Sequence, residues 1–405
     1  MITRVGVPVE TKAEPAAPDR DRPTLLCFSH LRWNFVFQRP QHLMSRFAKD
    51  MCVIFWEEPM EIGAKETAFL QVRPAEDFPN VRVVVPHLPE GLSEEAREQA
   101  LARLLDAHVA TVRGPLIAWY YTPMMLAFSR HVTPDVTVYD CMDELSKFRF
   151  APEHLLSFEQ ELIDRSDLVF TGGSSLYEAK KDRHHSVHCF PSSVDRAHFA
   201  KARVRQFQPA DQEDILRPRL GFYGVIDERF DIELLARVAD MRPDWSFVMV
   251  GPVVKIADED LPRRHNIHYL GPKTYEQLPR YLSGWDVALM PFAINDATEF
   301  ISPTKTPEYL AGGRPVVSTP IKDVVRHYGH LEGVGIASTA EEFAAACDHA
   351  MALARDPEGG WLAEADLMLS ATSWDITQAR MAGLVGEVLG VHMDSNAPAL
   401  LVAAE

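Results

Sequence analysis

The chain has 405 residues, too many for one ordinary hydrophobic core, and divides most naturally into two domains of about 200 residues each. Hydrophobic residues make up 46% and charged residues 24%, the profile of a soluble globular enzyme, and no apolar run approaches the roughly 20 residues that a membrane span needs. A formal net charge of −17 opposes polyphosphate binding over a broad surface, which excludes nucleic acid as a partner and disfavours wholesale adsorption to anionic lipid; it leaves room for a local basic patch that touches a membrane peripherally.

In chain order, residues 1–22 are rich in Pro, Ala and charge and lack the apolar core of a signal peptide, so a disordered tail and a cytoplasmic protein are expected. The first domain, residues 23–205, alternates short β-branched and aromatic runs with amphipathic stretches. Strands are expected at Thr24–Phe28, Met51–Trp56, Val81–Val85, Pro115–Trp119, Val136–Asp140, Leu168–Thr171 and Val187–Phe190. Helices are expected at Gln41–Lys49, Ser93–Leu105, Pro152–Arg165 and Ser174–Lys181. Short apolar runs without strict alternation fit strands buried on both faces, and their alternation with helices means a parallel sheet wrapped by helices. The five cysteines form no CxxC pair; Cys27, Cys52, Cys141 and Cys189 sit in or beside strand-like runs, as buried thiols of a reducing compartment do.

The pattern starts afresh after the polar stretch Lys201–Pro218, which puts the domain boundary near residue 205. In the second domain, residues 206–373, the strand-like runs are RLGFYG, SFVMVG, IHYLG, DVALMPF, RPVVST and Val334–Ala337, separated by helices at Asp231–Met241, Tyr275–Ser283, near Glu308 and at Ala340–Arg355. A last helix occupies residues 374–390, and residues 391–405 read as a flexible tail. The expected fold class is therefore α/β, two doubly wound Rossmann-like domains that face a cleft, with ligands beyond the carboxyl ends of the strands.

The most informative segment runs from Glu299 to Val317. Ser302 reads as a helix N-cap with Pro303 at the first helical position, Thr304 and Lys305 in the first turn, and Gly312 as the stop. Free N–H groups and the Lys305 charge suit a diphosphate, and the Glu308 carboxylate suits two vicinal ribose hydroxyls. A capped helix with Lys and Glu in its first turn is also common on any surface; its place beside the carboxyl end of a parallel strand favours the site. Gly224 would let backbone approach the pyrophosphate closely, and Arg229 offers a second phosphate cation, pairing with Asp227 or Asp231 being the competing arrangement. On the first domain, the loop from His30 to Pro40 mixes polar and aromatic residues at a strand end; His30, Trp33, Gln38 and Arg39 are the acceptor-side candidates, against Trp33, Phe35 and Phe37 plugging the domain interface. Asp143 can serve as a base for an acceptor hydroxyl or as a cap for the next helix, while Asp140 belongs to the strand end. His184 and His185 are adjacent without further ligand spacing, and Asp258, Glu259 and Asp260 form a charged loop, so no metal site and no cofactor are expected.

The run SPTKTPEYLAGGRPVVST resembles the nucleotide-sugar signature of glycosyltransferase family four and its GT-B relatives. SDLVFTGGSSLYEAKK, FPSSVDRAHF, RLGFYGVIDERFDIELL and SWDITQARM resemble, in order, the end of the acceptor domain, the opening of the donor domain and a closing helix that crosses back. QRPQHLMSRFA resembles the first loop and helix of bacterial cell-surface polysaccharide glycosyltransferases, and the whole likeness spans residues 24–390. It implies transfer of a sugar from a nucleotide-diphosphate donor, a UDP-sugar, to a hydroxyl acceptor in polysaccharide or glycolipid synthesis, without metal. One departure stands out: family four carries two glutamates eight positions apart, and counting back from Glu308 gives Phe300, with Glu299 next to it. If Glu299 takes that role the reaction retains anomeric configuration, which is the expectation; if not, Asp143 becomes the base of an inverting reaction. A GT-B nucleotide-sugar epimerase and a non-catalytic nucleotide-sugar-binding subunit are the rival readings.

Overall fold

A computed structural model describes residues 22–204, 207–356 and 360–390. The tails expected to be disordered or flexible lie outside the described residues, apart from Arg22, as does residue 205. The first sheet comprises β1 (Thr24–Phe28), β2 (Cys52–Trp56), β3 (Met60–Ile62), β4 (Phe69–Pro74), β5 (Val81–Pro89), β6 (Leu116–Tyr120), β7 (Val136–Cys141), β8 (Leu168–Thr171) and β9 (Val187–Cys189). Their spatial order is β3-β5-β2-β1-β6-β7-β8-β9, parallel except for β4, which runs antiparallel along β5. β1 is buried along its whole length and pairs in register with β2 and β6, Phe28 facing Trp56 and Tyr120. Two apolar layers cover the sheet, one centred on Trp33, Phe55, Trp119 and Phe170, the other on Phe28, Trp56 and Tyr120.

The second sheet holds β10 (Arg219–Tyr223), β11 (Ser246–Val250), β12 (Ile267–Gly271), β13 (Val287–Met290), β14 (Val316–Ser318) and β15 (Val334–Ile336), in the order β12-β11-β10-β13-β14-β15, all parallel. In both domains the order reverses beside the first strand, between β1 and β6 and between β10 and β13. Those switch points are where doubly wound sheets open a crevice.

Three sequence expectations change. β3 and β4 were not expected: β3 is short and largely exposed, β4 is only half-buried along most of its length, and neither carries the apolar run that marks a buried strand. The boundary moves from residue 205 to near residue 190, because Val194, Phe199 and Ala202 pack into the second domain's core. Arg203 fixes that segment further by donating from Nε to the carbonyl of Ala311, 2.7 Å away. Helix starts and ends also shift: the first helix is Arg39–Phe47, with Pro40 in its first turn, and the second runs through Glu94–Val109. The last helix, Trp374–Leu389, buries Trp374, Met381, Ala382 and Val385 in the first domain's core, although it follows the second domain in sequence. Ser373 caps it, accepting from the Ile376 N–H at 3.1 Å. Among the described residues no helix is long and apolar enough to cross a membrane.

Candidate functional site

A cleft of about 620 Å³ lies between the domains, within the range of pockets that take a small molecule. Its second-domain wall is built at the switch point: Gly224 follows β10, and the segment Ile301–Lys305 with Glu308 follows β13. Gly224 has φ +144, and a Cβ there would overlap Lys305 Cε. Only glycine lets the lysine stem lie across the end of β10. Lys305 Nζ stands 5.8 Å from the Phe222 ring centroid and 5.9 Å from that of Phe292. Burial lowers its pKa, an effect that Glu308 partly offsets. Among the described residues no carboxylate lies within 4.0 Å of it. The ammonium therefore makes no contact ion pair in the cleft, although Glu308, Asp227 and Asp143 act on it from further off, and a diphosphate would supply that contact.

Lys305 and Glu308 share one face of the helix Lys305–Ala311, being three residues apart. The Glu308 carboxylate is buried and accepts a hydrogen bond from the Tyr223 hydroxyl at 2.9 Å. Burial pushes its pKa up to about 7, with Lys305 pulling the other way. Here the sequence reading needs correction. The helix begins at Lys305, with Thr304 at the N-cap, rather than after Ser302. Ser302 is engaged elsewhere: its carbonyl accepts from Ser192 Oγ at 2.5 Å and its hydroxyl from the Ser192 N–H at 3.4 Å, in the segment that joins the domains. The later start also explains Pro307, which stands in the first turn, where a helix leaves N–H groups unbonded anyway. At the other end Gly312 keeps helical angles and Gly313, at φ +70, takes the left-handed position.

Arg229 lines the cleft but is held by Asp227, Nη2 to Oδ2 at 2.6 Å and Nε to Oδ1 at 2.9 Å, and packs 5.3 Å from the Phe148 ring. The competing arrangement is the one adopted, so Arg229 reaches a phosphate only as half of a neutralised pair. Asp143 faces the cleft from the loop after β7, and burial raises its pKa, with Arg229 opposing. Its neighbour Glu144 is tied 2.7 Å from Lys180, which also pairs with Glu159 at 2.7 Å; these two anchors hold the loop.

The first-domain wall is the loop from Trp33 to Arg39. Trp33 is 6% exposed, stacks edge-on against Phe55 at 5.1 Å, and donates its N–H to Glu57 at 2.8 Å, so it is core with one edge on the cleft. Gln38 lines the cleft as the residue before the first helix, its N–H bonded to Gln41 Oε1 at 3.1 Å. Arg39 is a structural residue: it is 3% exposed, binds both Asp140 oxygens, with Nη2 to Oδ1 at 2.8 Å, and donates to the Phe190 carbonyl at 2.7 Å. His30 is not among the residues lining the cleft, and burial lowers its pKa to about 4, so it is neutral near pH 7. Glu299 is also outside: it pairs with Lys322 at 2.6 Å on an exposed surface, while Phe300 packs toward the first domain. Sequence reasoning missed Tyr223, which reads only as a strand residue, and Tyr275, whose ring meets Phe37 of the opposite domain at 4.8 Å. Phe37 thus takes part in plugging the interface.

Residues 217–352 match the family Glycosyl transferases group 1. Over 257 residues the chain is 27% identical to the putative teichuronic acid biosynthesis glycosyltransferase TuaH of Bacillus subtilis (strain 168), covering 57% of this chain and 62% of that protein. The sucrose-phosphate synthase of Thermosynechococcus elongatus superposes with a TM-score of 0.67 at 16% identity, covering 91% of this chain and 99% of that one. HepE of Anabaena, in complex with UDP and glucose, does so with a TM-score of 0.62 at 13% identity, over 89% and 99%. The chain thus has the GT-B fold, two Rossmann-like domains facing one cleft. The match to the group 1 glycosyl transferases lies within the second domain, and the matched stretch spans less than two thirds of the TuaH relative's length.

Proposed function

We propose that the protein is a glycosyltransferase that moves a sugar from a nucleoside-diphosphate sugar to a hydroxyl acceptor. The observation that carries this reading is Lys305: a buried ammonium with no contact ion pair, laid over Gly224 near the buried Glu308, at the switch point of the second sheet. A diphosphate oxygen on Lys305 and ribose hydroxyls on Glu308 would place the sugar toward the first-domain wall. The bond from the anomeric carbon to the diphosphate breaks, its electron pair leaving on the phosphate oxygen beside Lys305. The acceptor oxygen bonds to the anomeric carbon and its proton passes to the Asp143 carboxylate. Retention rested on Glu299, which stands outside the cleft; we therefore adopt inversion with Asp143 as the base.

We take the donor to be a UDP-sugar, supported by the likeness to HepE solved with UDP and glucose. We take the acceptor to belong to polysaccharide synthesis, supported by the likeness to a teichuronic acid biosynthesis protein. The Lys305 charge supports a diphosphate site that needs no metal. Incubating the protein with a panel of nucleotide sugars in EDTA tests all of this. Slow release of nucleoside diphosphate is the expected result. An epimerised sugar product would make the protein an isomerase, tight binding without release a binding subunit, and activity restored only by magnesium or manganese would overturn metal independence.

A further inference from the structure

The GGSS run at residues 172–175 is one place where the two domains are fastened, and there the contact is made by one carboxylate of the second domain. Asp323, in the helix Lys322–Tyr328, is 1% exposed. Its Oδ2 accepts from the Ser174 N–H at 2.9 Å, and its Oδ1 accepts from the Ser175 N–H at 3.0 Å and from Ser175 Oγ at 2.5 Å. His327, on the same helix, meets Ser174 Oγ through Nε2 at 2.8 Å. The helix Ser174–Lys180 receives no cap from its own N-cap residue, Gly173. The opposite domain supplies it.

Two neighbouring glycines transmit this contact to the cleft. A Cβ on Gly173 would stand 2.7 Å from Ser302 Cβ and closer still to Asp323 Oδ2, so the bare backbone is what lets Ser302 and Asp323 reach the first domain together. Ser302 is three residues before Lys305 and is bonded to Ser192, in the segment where the chain passes from the first domain to the second. A Cβ on Gly172 would stand 2.7 Å from the Met142 carbonyl oxygen, next to Asp143. The fastening therefore sits between the Lys305 loop and the Asp143 loop, while Gly224, Lys305 and Glu308 all belong to the second domain and need no contact with the first.

We propose that Asp323 is a positioning residue: by capping the Ser174 helix of the opposite domain it sets the spacing between Lys305 and Asp143 that sugar transfer requires, and leaves nucleotide binding untouched. A carboxylate this buried loses three donors at once if the domains part, so the contact is made fully or not at all. The role rests on the proposed transferase reading. The experiment compares wild type with Asp323→Ala and, as an independent variant approached from the other domain, Gly173→Ala, whose extended backbone at φ −169 accepts alanine. UDP affinity is measured by calorimetry, release of UDP from UDP-glucose gives turnover, and small-angle scattering gives compactness. The expected result is UDP affinity within about two-fold of wild type, turnover down at least 10-fold, and a larger radius of gyration for whichever variants fold, with Asp323→Asn intermediate. Wild-type turnover in either folded variant, or UDP affinity falling in step with turnover, overturns the proposal. If wild type neither binds UDP nor releases it, the transferase reading fails instead, and an unchanged radius of gyration in both variants would still defeat the fastening on its own.

Discussion

Replacing Lys305 with methionine separates two consequences of one buried charge. The lysine stem crosses Gly224 and its ammonium lies near two aromatic rings with no carboxylate within 4.0 Å among the described residues. Methionine keeps the stem's packing and removes the charge. A charge-assisted hydrogen bond contributes about 1.5–3 kcal/mol, so UDP affinity should fall about 10- to 150-fold. In the absence of ligand the same change removes an ammonium whose burial outweighs the opposing field of Glu308, Asp227 and Asp143. The folded state then gains about 1 kcal/mol, enough to raise the melting temperature by about 2–4 °C in a domain of this size. Isothermal calorimetry with UDP and differential scanning calorimetry without it read the two effects. Gly224→Ala, whose Cβ would displace Lys305 Cε, should reproduce the affinity loss without the gain in stability. A folded Lys305→Met variant that binds UDP as wild type does, or one that melts several degrees lower, refutes the reasoning.

Burial holds Glu308 near pKa 7 against an ordinary 4.5, so its contribution to stability is complete below pH 4.5 and is lost as pH rises through 7. Accepting two ribose hydroxyls needs the ionised form, so UDP affinity should rise from pH 6 to pH 8 and Glu308→Gln should flatten that slope; a flat profile in wild type tells against the assignment. Asp143→Asn should lower turnover about 100-fold with donor affinity intact, Glu299→Gln should change it less than about two-fold, and the coupling constant of the new linkage should report inversion. A damaging Glu299→Gln with a mild Asp143→Asn would return the reaction to retention. Arg39→Met, which strands the buried Asp140 carboxylate, should cost about 3–5 kcal/mol in urea unfolding; an unchanged midpoint would show that the pair is dispensable.

The residues of the cleft's second-domain wall were legible because local chemistry marks them. Gly224 ends an apolar strand, and Lys305 and Glu308 stand in the first turn after another; both positions follow from order along the chain and from the rule that ligands sit at strand ends. Strand and helix alternation was legible for the same reason, since runs such as TLLCF and SFVMV are buried on both faces and carry no alternation. Partners distant in sequence were not. Arg39 and Asp140 lie 101 positions apart, and Asp323 and Ser174 lie 149 apart, so no spacing rule announces either pair. Arg229 could be read equally as a phosphate cation or as Asp227's partner, because both lie within reach of one side chain and only the packed loop chooses. Glu299 was placed by counting along a loop, yet the direction a loop residue faces is set by its neighbours: Phe300 packs inward and Glu299 turns out to Lys322. The amino-acid order by itself determined which groups could do chemistry, through residue type and position in each strand–helix unit. Only the tertiary structure decided which of them face the cleft, because a charge in a folded chain goes to the nearest partner that offsets its desolvation, and that partner is brought close by the fold.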